Sequence, residues 1–274
     1  MTQLPDGAVD AAQAPAAAPI QVDASEGFRR ILHEHKLSLV VSTYDAGKVF
    51  LLRANEHGAN VHFVSFPSAM GIAANRARLA IGSRMHVHEF VNMPAVIPQL
   101  PAPALAGAVY DACYMPRHDH VTGNIQVHEL AFASDQLWLV NTRYSCLCTL
   151  STTHSFVPRW RPPWVRGLSG DDRCHLNGLA VEGGRVAYAT AFATSDEPQG
   201  WRPAKATSGL IVEVPSGRIV TQGLSMPHSP RVHGGHLWVL NSGHGTIAVV
   251  DRSTGQVRDV QRMAGFTRGL DFHG

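Results

Sequence analysis

Lysine is nearly absent from this chain. Lys36, Lys48 and Lys205 are the only lysines in a basic set of 23 Lys plus Arg, balanced by 21 acidic residues for a formal charge of +2. A charge this mild, with no Lys/Arg run, lacks the electrostatic footprint of a nucleic-acid-binding protein. An Arg-dominated set suits bidentate contact with carboxylate or phosphate, although high-GC codon usage yields the same bias. Long apolar runs are also missing: none exceeds about 18 residues, so no membrane-spanning helix is expected. Cysteine is scarce, and Cys113, Cys146, Cys148 and Cys174 show no CxxC spacing. Reduced, mostly buried thiols in a cytoplasmic protein follow. GxSxG, P-loop, Rossmann and HExxH signatures are absent, which disfavours, without excluding, a serine hydrolase or a nucleotide enzyme.

The first stretch, Met1 to Ser25, is rich in Ala, Pro and Gln and has neither a basic start nor a continuous apolar core. It reads as a tail outside the fold, residues 1–25, and not as a signal peptide. The whole chain is 45% hydrophobic and only 16% charged, and the remainder, 26–274, reads as one well-buried domain.

What the chain does have is a repeat. Met70-Gly71-Ile72-Ala73-Ala74, His128-Glu129-Leu130-Ala131-Phe132, Asn177-Gly178-Leu179-Ala180-Val181 and His228-Ser229-Pro230-Arg231-Val232 each precede a second apolar run. That run opens nine positions on every time, at Leu79, Leu137, Val186 and Leu237. Arg268-Gly269-Leu270-Asp271-Phe272 reads as a fifth start, and the starts are 58, 49, 51 and 40 residues apart. This is the period of a four-stranded blade, and the expected fold is all-β, a β-propeller. Gly27 to Lys36 reads as a short helix. Strands from Ser38 to Phe66 supply the second, third and fourth strands of a blade, which the Arg268 strand could complete as the first, closing a five-bladed ring. Three segments read as insertions: Met93–Asp119, Ser155–Trp164 and Thr194–Ala206.

Several stretches resemble the bacterial DUF4915 family of conserved hypothetical proteins. They are LVVSTYDAGKVFLLR (Leu39–Arg53), LWLVNTRYSCLCTL (Leu137–Leu150), FVPRWRPPWV (Phe156–Val165), DDRCHLNGLA (Asp171–Ala180), LSMPHSPR (Leu224–Arg231) and GFTRGLDF (Gly265–Phe272). The resemblance implies a six-bladed propeller whose last blade this chain lacks, and it implies no particular activity.

Inner strands of a propeller line its channel, so equivalent repeat positions converge in space. That brings together Met70, His128, Asn177, His228 and Arg268. His128, His228 and Asn177 are therefore candidate ligands for one divalent transition metal ion. His175, Arg268 and Glu129 are candidate catalytic groups, and Arg143, Arg231, Trp160 and Trp201 candidate substrate-binding groups. The corresponding function is a metal-dependent hydrolase or lyase acting on a small anionic molecule or a peptide. The alternative is a non-catalytic scaffold that binds a protein partner through its loop face. Neither reading involves nucleic acid or membrane. His86-Val87-His88 puts two imidazoles on one strand face but far from the channel, and Cys146 and Cys148 read as packing.

Overall fold

A computed structural model describes residues 23–55, 58–100 and 110–274. Most of the expected tail and the centre of the Met93–Asp119 loop lie outside the described residues. The chain divides into two compact units, Met1–Leu39 with Leu51–His62, and Val40–Phe50 with Phe63–Gly274. In the first, helix α1 (Glu26–Glu34) is capped by Ser25, whose Oγ accepts from the Phe28 amide at 3.2 Å. Its one buried side chain is Leu32. Strands β1 (Leu39–Thr43), β2 (Lys48–Asn55) and β3 (Gly58–Ser65) hydrogen-bond in that order as a three-stranded sheet.

The second unit contains four four-stranded antiparallel sheets, each a simple meander. The first is β4 (Ile72–Ala74), β5 (Arg78–Gly82), β6 (His86–Asn92) and β7 (Tyr114–Val121). Next come β8 (Val127–Ala133), β9 (Gln136–Asn141), β10 (Cys146–Thr149) and β11 (Val157–Trp160). The third is β12 (Gly178–Glu182), β13 (Arg185–Ala191), β14 (Gly209–Glu213) and β15 (Ile219–Leu224). The fourth is β16 (Pro227–His233), β17 (His236–Asn241), β18 (Thr246–Val250) and β19 (Val257–Arg262). The inner strands β4, β8, β12 and β16 neighbour one another in sequence order, as the inner strands of propeller blades do. Gly183-Gly184 and Gly234-Gly235 close two of the hairpins with φ of 56° and 74°, and 57° and 77°. Both residues of such a turn need positive φ, which glycine adopts without steric cost.

The core consists of slabs between blades, and strand alternation assigns each side chain to a slab. On β9, Leu137 and Leu139 face the first blade while Val140 faces the third; on β10, Cys146 and Cys148 face the first and Leu147 the third. A third slab joins Ala180, Tyr188 and Ile211 to Leu237, Val239 and Ala248. Middle strands are buried on both faces, which is why they read as continuous apolar runs and not as alternating ones. Among the described residues no helix is long and apolar enough to cross a membrane.

Three expectations need correction. The segment Met93–Asp119 is not an insertion to its end, because Tyr114–Val121 is the outer strand of the first blade, paired to β6. The stretch Ser155–Trp164 is not an insertion throughout, because Val157–Trp160 is the outer strand of the second blade, paired to β10. Arg268–Phe272 forms no strand. Positive φ at Gly265 (85°) and Gly269 (73°) breaks the extended backbone there. The Phe272 ring instead stacks on His233, with centroids 4.2 Å apart, and leans on Trp238.

Candidate functional site

Each inner strand of the second unit is entered through a kink. Ser68, Gln126, His175 and Met226 all have left-handed backbone, with φ of 53°, 54°, 51° and 46°. They stand two residues before Met70, His128, Asn177 and His228, the four repeat starts. None is glycine, so each conformation costs on the order of 1–3 kcal/mol and is imposed by the surroundings. A second irregularity follows in two blades. The β8–β9 register slips between Val127 and Leu130, and the β16–β17 register slips between His228 and Arg231. Such bulges re-aim side chains that a regular ladder would place elsewhere.

Kinks and bulges together gather three imidazoles. His128 and His175 meet edge to face with ring centroids 4.8 Å apart. Phe192 lies against both His175 and His228, at 4.4 Å and 5.4 Å. His228 is only 3% exposed and Asn177 only 2%. Arg268, on the chain beyond β19, is exposed, and its charge acts on both His128 and His228.

The hydrogen bonds determine which nitrogen of each ring carries the proton. His128 Nδ1 lies 2.8 Å from Thr142 Oγ1 and 3.2 Å from the Gln126 carbonyl. The Thr142 hydroxyl donates its own proton to the Leu176 carbonyl at 2.5 Å. It must therefore accept from His128, which is an Nδ1–H tautomer. His228 Nδ1 lies 2.9 Å from Ser242 Oγ, and Ser242 donates to the Leu240 carbonyl, so the same tautomer follows. His175 Nδ1 faces the Asp172 Oδ2 carboxylate oxygen at 2.8 Å, an acceptor, and is again Nδ1–H. None of the three Nε2 atoms has a hydrogen-bond partner among the described residues. For His228 that nitrogen is fully buried without a partner, as are Asn177 Nδ2 and Asp172 Oδ1.

Burial pushes the His228 imidazole well below its usual range, and the charges of Arg268, His128 and His175 push further. His128 is lowered in the same way, by desolvation first and then by His175 and Arg268. Both rings are neutral at pH 7. Glu129 goes the other way. Desolvation raises it, although Arg231 Nη1 lies 2.5 Å from its Oε1 and the Leu179 amide donates to its Oε2 at 3.2 Å.

The structure therefore brings His128, His175, His228, Asn177, Glu129, Arg268 and Trp201 to one face. Trp201 is buried, 4.3 Å from the His175 ring, and its Nε1 donates to Asp172 Oδ2 at 3.1 Å. Arg143 is exposed next to Thr142, and its carbonyl accepts from the Asp172 amide at 3.0 Å. Arg231 also reaches this face but is occupied by Glu129 and by the Pro230 carbonyl at 2.8 Å. Trp160 is not brought there: it ends the outer strand β11, bonds the Pro215 carbonyl at 3.2 Å and lines a separate small pocket of about 200 Å³. Among the described residues, no three His, Cys, Asp or Glu side chains are arranged to hold a metal ion. Sequence reasoning missed Asp172, Thr142, Ser242 and Phe192. The hydroxyls had a signal, since Thr142 and Ser242 both follow the second run at the fourteenth position after their histidine.

His86 and His88 lie on the third strand of the first blade, with His88 held between Ser83 and Asp119. They stay outside the cluster, as the spacing implied. No curated protein sequence matches the chain. Among solved structures it is similar to a putative oxidoreductase (glucose dehydrogenase) from Thermus thermophilus at 13% identity, covering 84% of this chain and 82% of that one, with a TM-score of 0.52. Virginiamycin B lyase from Staphylococcus aureus matches at 11% identity over 83% of this chain and 67% of its own, with a TM-score of 0.47. AztD from Citrobacter koseri matches at 13% identity over 84% and 60%, with a TM-score of 0.36. Likeness at such identity speaks for the fold alone, and only the first of the three is close enough to support it. Residues 26–274 match the family model described as a domain of unknown function, DUF4915, and the chain is a β-propeller member of that family.

Proposed function

We propose that the inner-strand face of the second unit is the active site of a hydrolase or lyase acting on a small anionic molecule or a peptide end. The observation that carries this reading is the shared tautomer of the three clustered imidazoles, each pinned at Nδ1 and unspent at Nε2. A purely packing histidine commonly has both nitrogens satisfied when buried. Neutral imidazoles near pH 7 can take a proton from water or from substrate, a contribution typically of 10²–10⁴-fold. Arg268 is the exposed cation beside them and would hold the anionic group, and the buried Asn177 amide has an unspent donor for a substrate oxygen.

A second reading adds a divalent transition metal ion at His128, His228 and Asn177. In its favour, Nδ1–H donated to a fixed oxygen is the usual outer-shell arrangement of a metal-bound imidazole. Such an ion would polarise a carbonyl or generate hydroxide. Among the described residues no third His, Cys, Asp or Glu joins the two histidines in a ligand group, so Asn177 or water would have to complete the set.

The test pairs a turnover screen of lactones, esters and short anionic peptides with elemental analysis of the parent and the His128→Ala, His228→Ala double variant. Turnover in the parent and a loss of at least about 100-fold in the folded variant supports the enzyme reading. About one metal equivalent lost with the two histidines selects the metal version. No turnover and no metal in either protein sinks both and leaves the scaffold that binds a protein partner.

A further inference from the structure

The three imidazoles differ in what stands behind them. His128 and His228 donate to hydroxyls, Thr142 and Ser242, which are neutral. His175 alone donates to a carboxylate, Asp172, and does so from a residue pair that is doubly strained: Asp172 and His175 both have φ of 51°. Asp172 is 9% exposed, and its Oδ2 also receives the Trp201 indole N–H, so two donors fix the carboxylate and its orientation. Phe192 and Trp201, themselves in edge contact at 5.4 Å, both pack against the His175 ring, at 4.4 Å and 4.3 Å. Its side chain keeps 14% of its surface, against a fully buried Nε2 on His228. Proton transfer to an imidazole creates a positive charge that needs a fixed counter-charge in a site of low polarity.

We infer that His175 is the general base of this face and that Asp172 is its positioning residue. The inference rests on reading the face as an active site, and it assigns the labour within it. Nε2 of His175 accepts a proton from the attacking water or the substrate. Nδ1–H stays with Asp172 Oδ2, and the carboxylate balances the imidazolium. The proton returns from Nε2 to the leaving group, so no outside donor or oxidant is needed. His128 and His228, with no anion behind them, stay neutral and act as polar walls or ligands. The Asp172 oxygen that has no partner, Oδ1, makes Asp172→Asn an informative change. The amide oxygen can take the place of Oδ2 and keep both hydrogen bonds, while the negative charge is lost.

The experiment is carbethoxylation of the full chain by diethyl pyrocarbonate, which modifies a neutral imidazole at a free nitrogen, followed residue by residue by peptide mass mapping. The ¹⁵N spectrum of the ring nitrogens reports fold and tautomer alongside. His175 is expected to show Nδ1–H and a free Nε2 and to react, and Asp172→Asn should slow its rate about tenfold without moving His128 or His228. If Asp172→Asn does not fold, Trp201→Phe removes the competing donor from the same oxygen, and the His175 rate should rise. A His175 that is Nε2–H in the parent, or a rate unchanged in both variants, overturns the assignment. An Asp172-dependent His175 with an empty turnover screen fails the enzyme reading and leaves the pair standing. Turnover with a His175 indifferent to Asp172 does the reverse.

Discussion

His228 sits in a place where a proton is unwelcome, and that has a measurable consequence for stability. Its folded-state pKa is lowered, by burial first and by Arg268 next, whereas in the unfolded chain it titrates near about 6.5. As the pH falls through about 6.5, the unfolded chain takes up the proton before the folded one does, so stability falls with pH. The limiting slope is about 1.4 kcal/mol per pH unit for one such group, continuing down to the folded-state pKa. His128, lowered by desolvation first as well, adds in the same direction. Chemical denaturation at pH 7.5 and at pH 5 should show the loss, and His228→Asn should reduce the slope between them. An unchanged slope in that variant would mean that His228 is solvated in the native state.

At the scale of the element, the inner strand β12 carries the tightest constraint. A side chain at Gly178 would place its Cβ 2.5 Å from Thr190 Oγ1, 2.6 Å from Pro230 Cδ and 3.0 Å from Glu129 Oε2. Those atoms belong to the neighbouring strand of its own blade and to the inner strands on either side. Gly178→Ala is therefore expected to cost about 1–3 kcal/mol by overpacking, read as a lower denaturation midpoint. Gly183→Ala, whose Cβ meets nothing within 4 Å, tests backbone strain instead, at φ of 56°. The comparison separates close packing from conformation. The same strand shows what was legible in the sequence. Its place in the repeat was visible from the nine-residue offset. The left-handed entry at His175 was not, because local sequence favours glycine or asparagine there and tertiary packing overrides that preference.

Across the second unit, one ion pair joins three blades. Glu129 on β8 accepts from the Leu179 amide on β12 and from Arg231 on β16, while Arg231 also bonds the Leu179 carbonyl at 3.3 Å. Removing Arg231 alone strands a carboxylate that is 6% exposed. Arg231→Leu should destabilise by about 3–5 kcal/mol in equilibrium unfolding, and Glu129→Leu added to it should recover much of that. Failure of the double variant to recover would show that Arg231 acts through its backbone partners and not through the pair. This network also separates two arginines that were both candidates for the site: Arg231 is consumed structurally, and the charge of Arg268 acts on His128 and His228.

The sequence alone determined the blade period, the first two strands of each four-stranded blade and the coincidence of His128, Asn177 and His228 at equivalent positions, because these depend on local pattern repeated at fixed spacing. It also contained the family. Tertiary structure alone decided which neighbours those residues met. The Asp172–His175 pair depends on two left-handed residues, and the Glu129–Arg231 pair joins chain segments about a hundred positions apart. Arg268–Phe272 looked like the inner strand of a fifth repeat, yet Gly269 and the stacking of Phe272 on His233 turned it elsewhere. Trp160 and Trp201 were equivalent by composition, and only the packing of the third blade's insertion put one of them beside an imidazole. Periodicity encodes which face a residue occupies; the chemistry of a site depends on distances between faces, which exist only once the blades are packed.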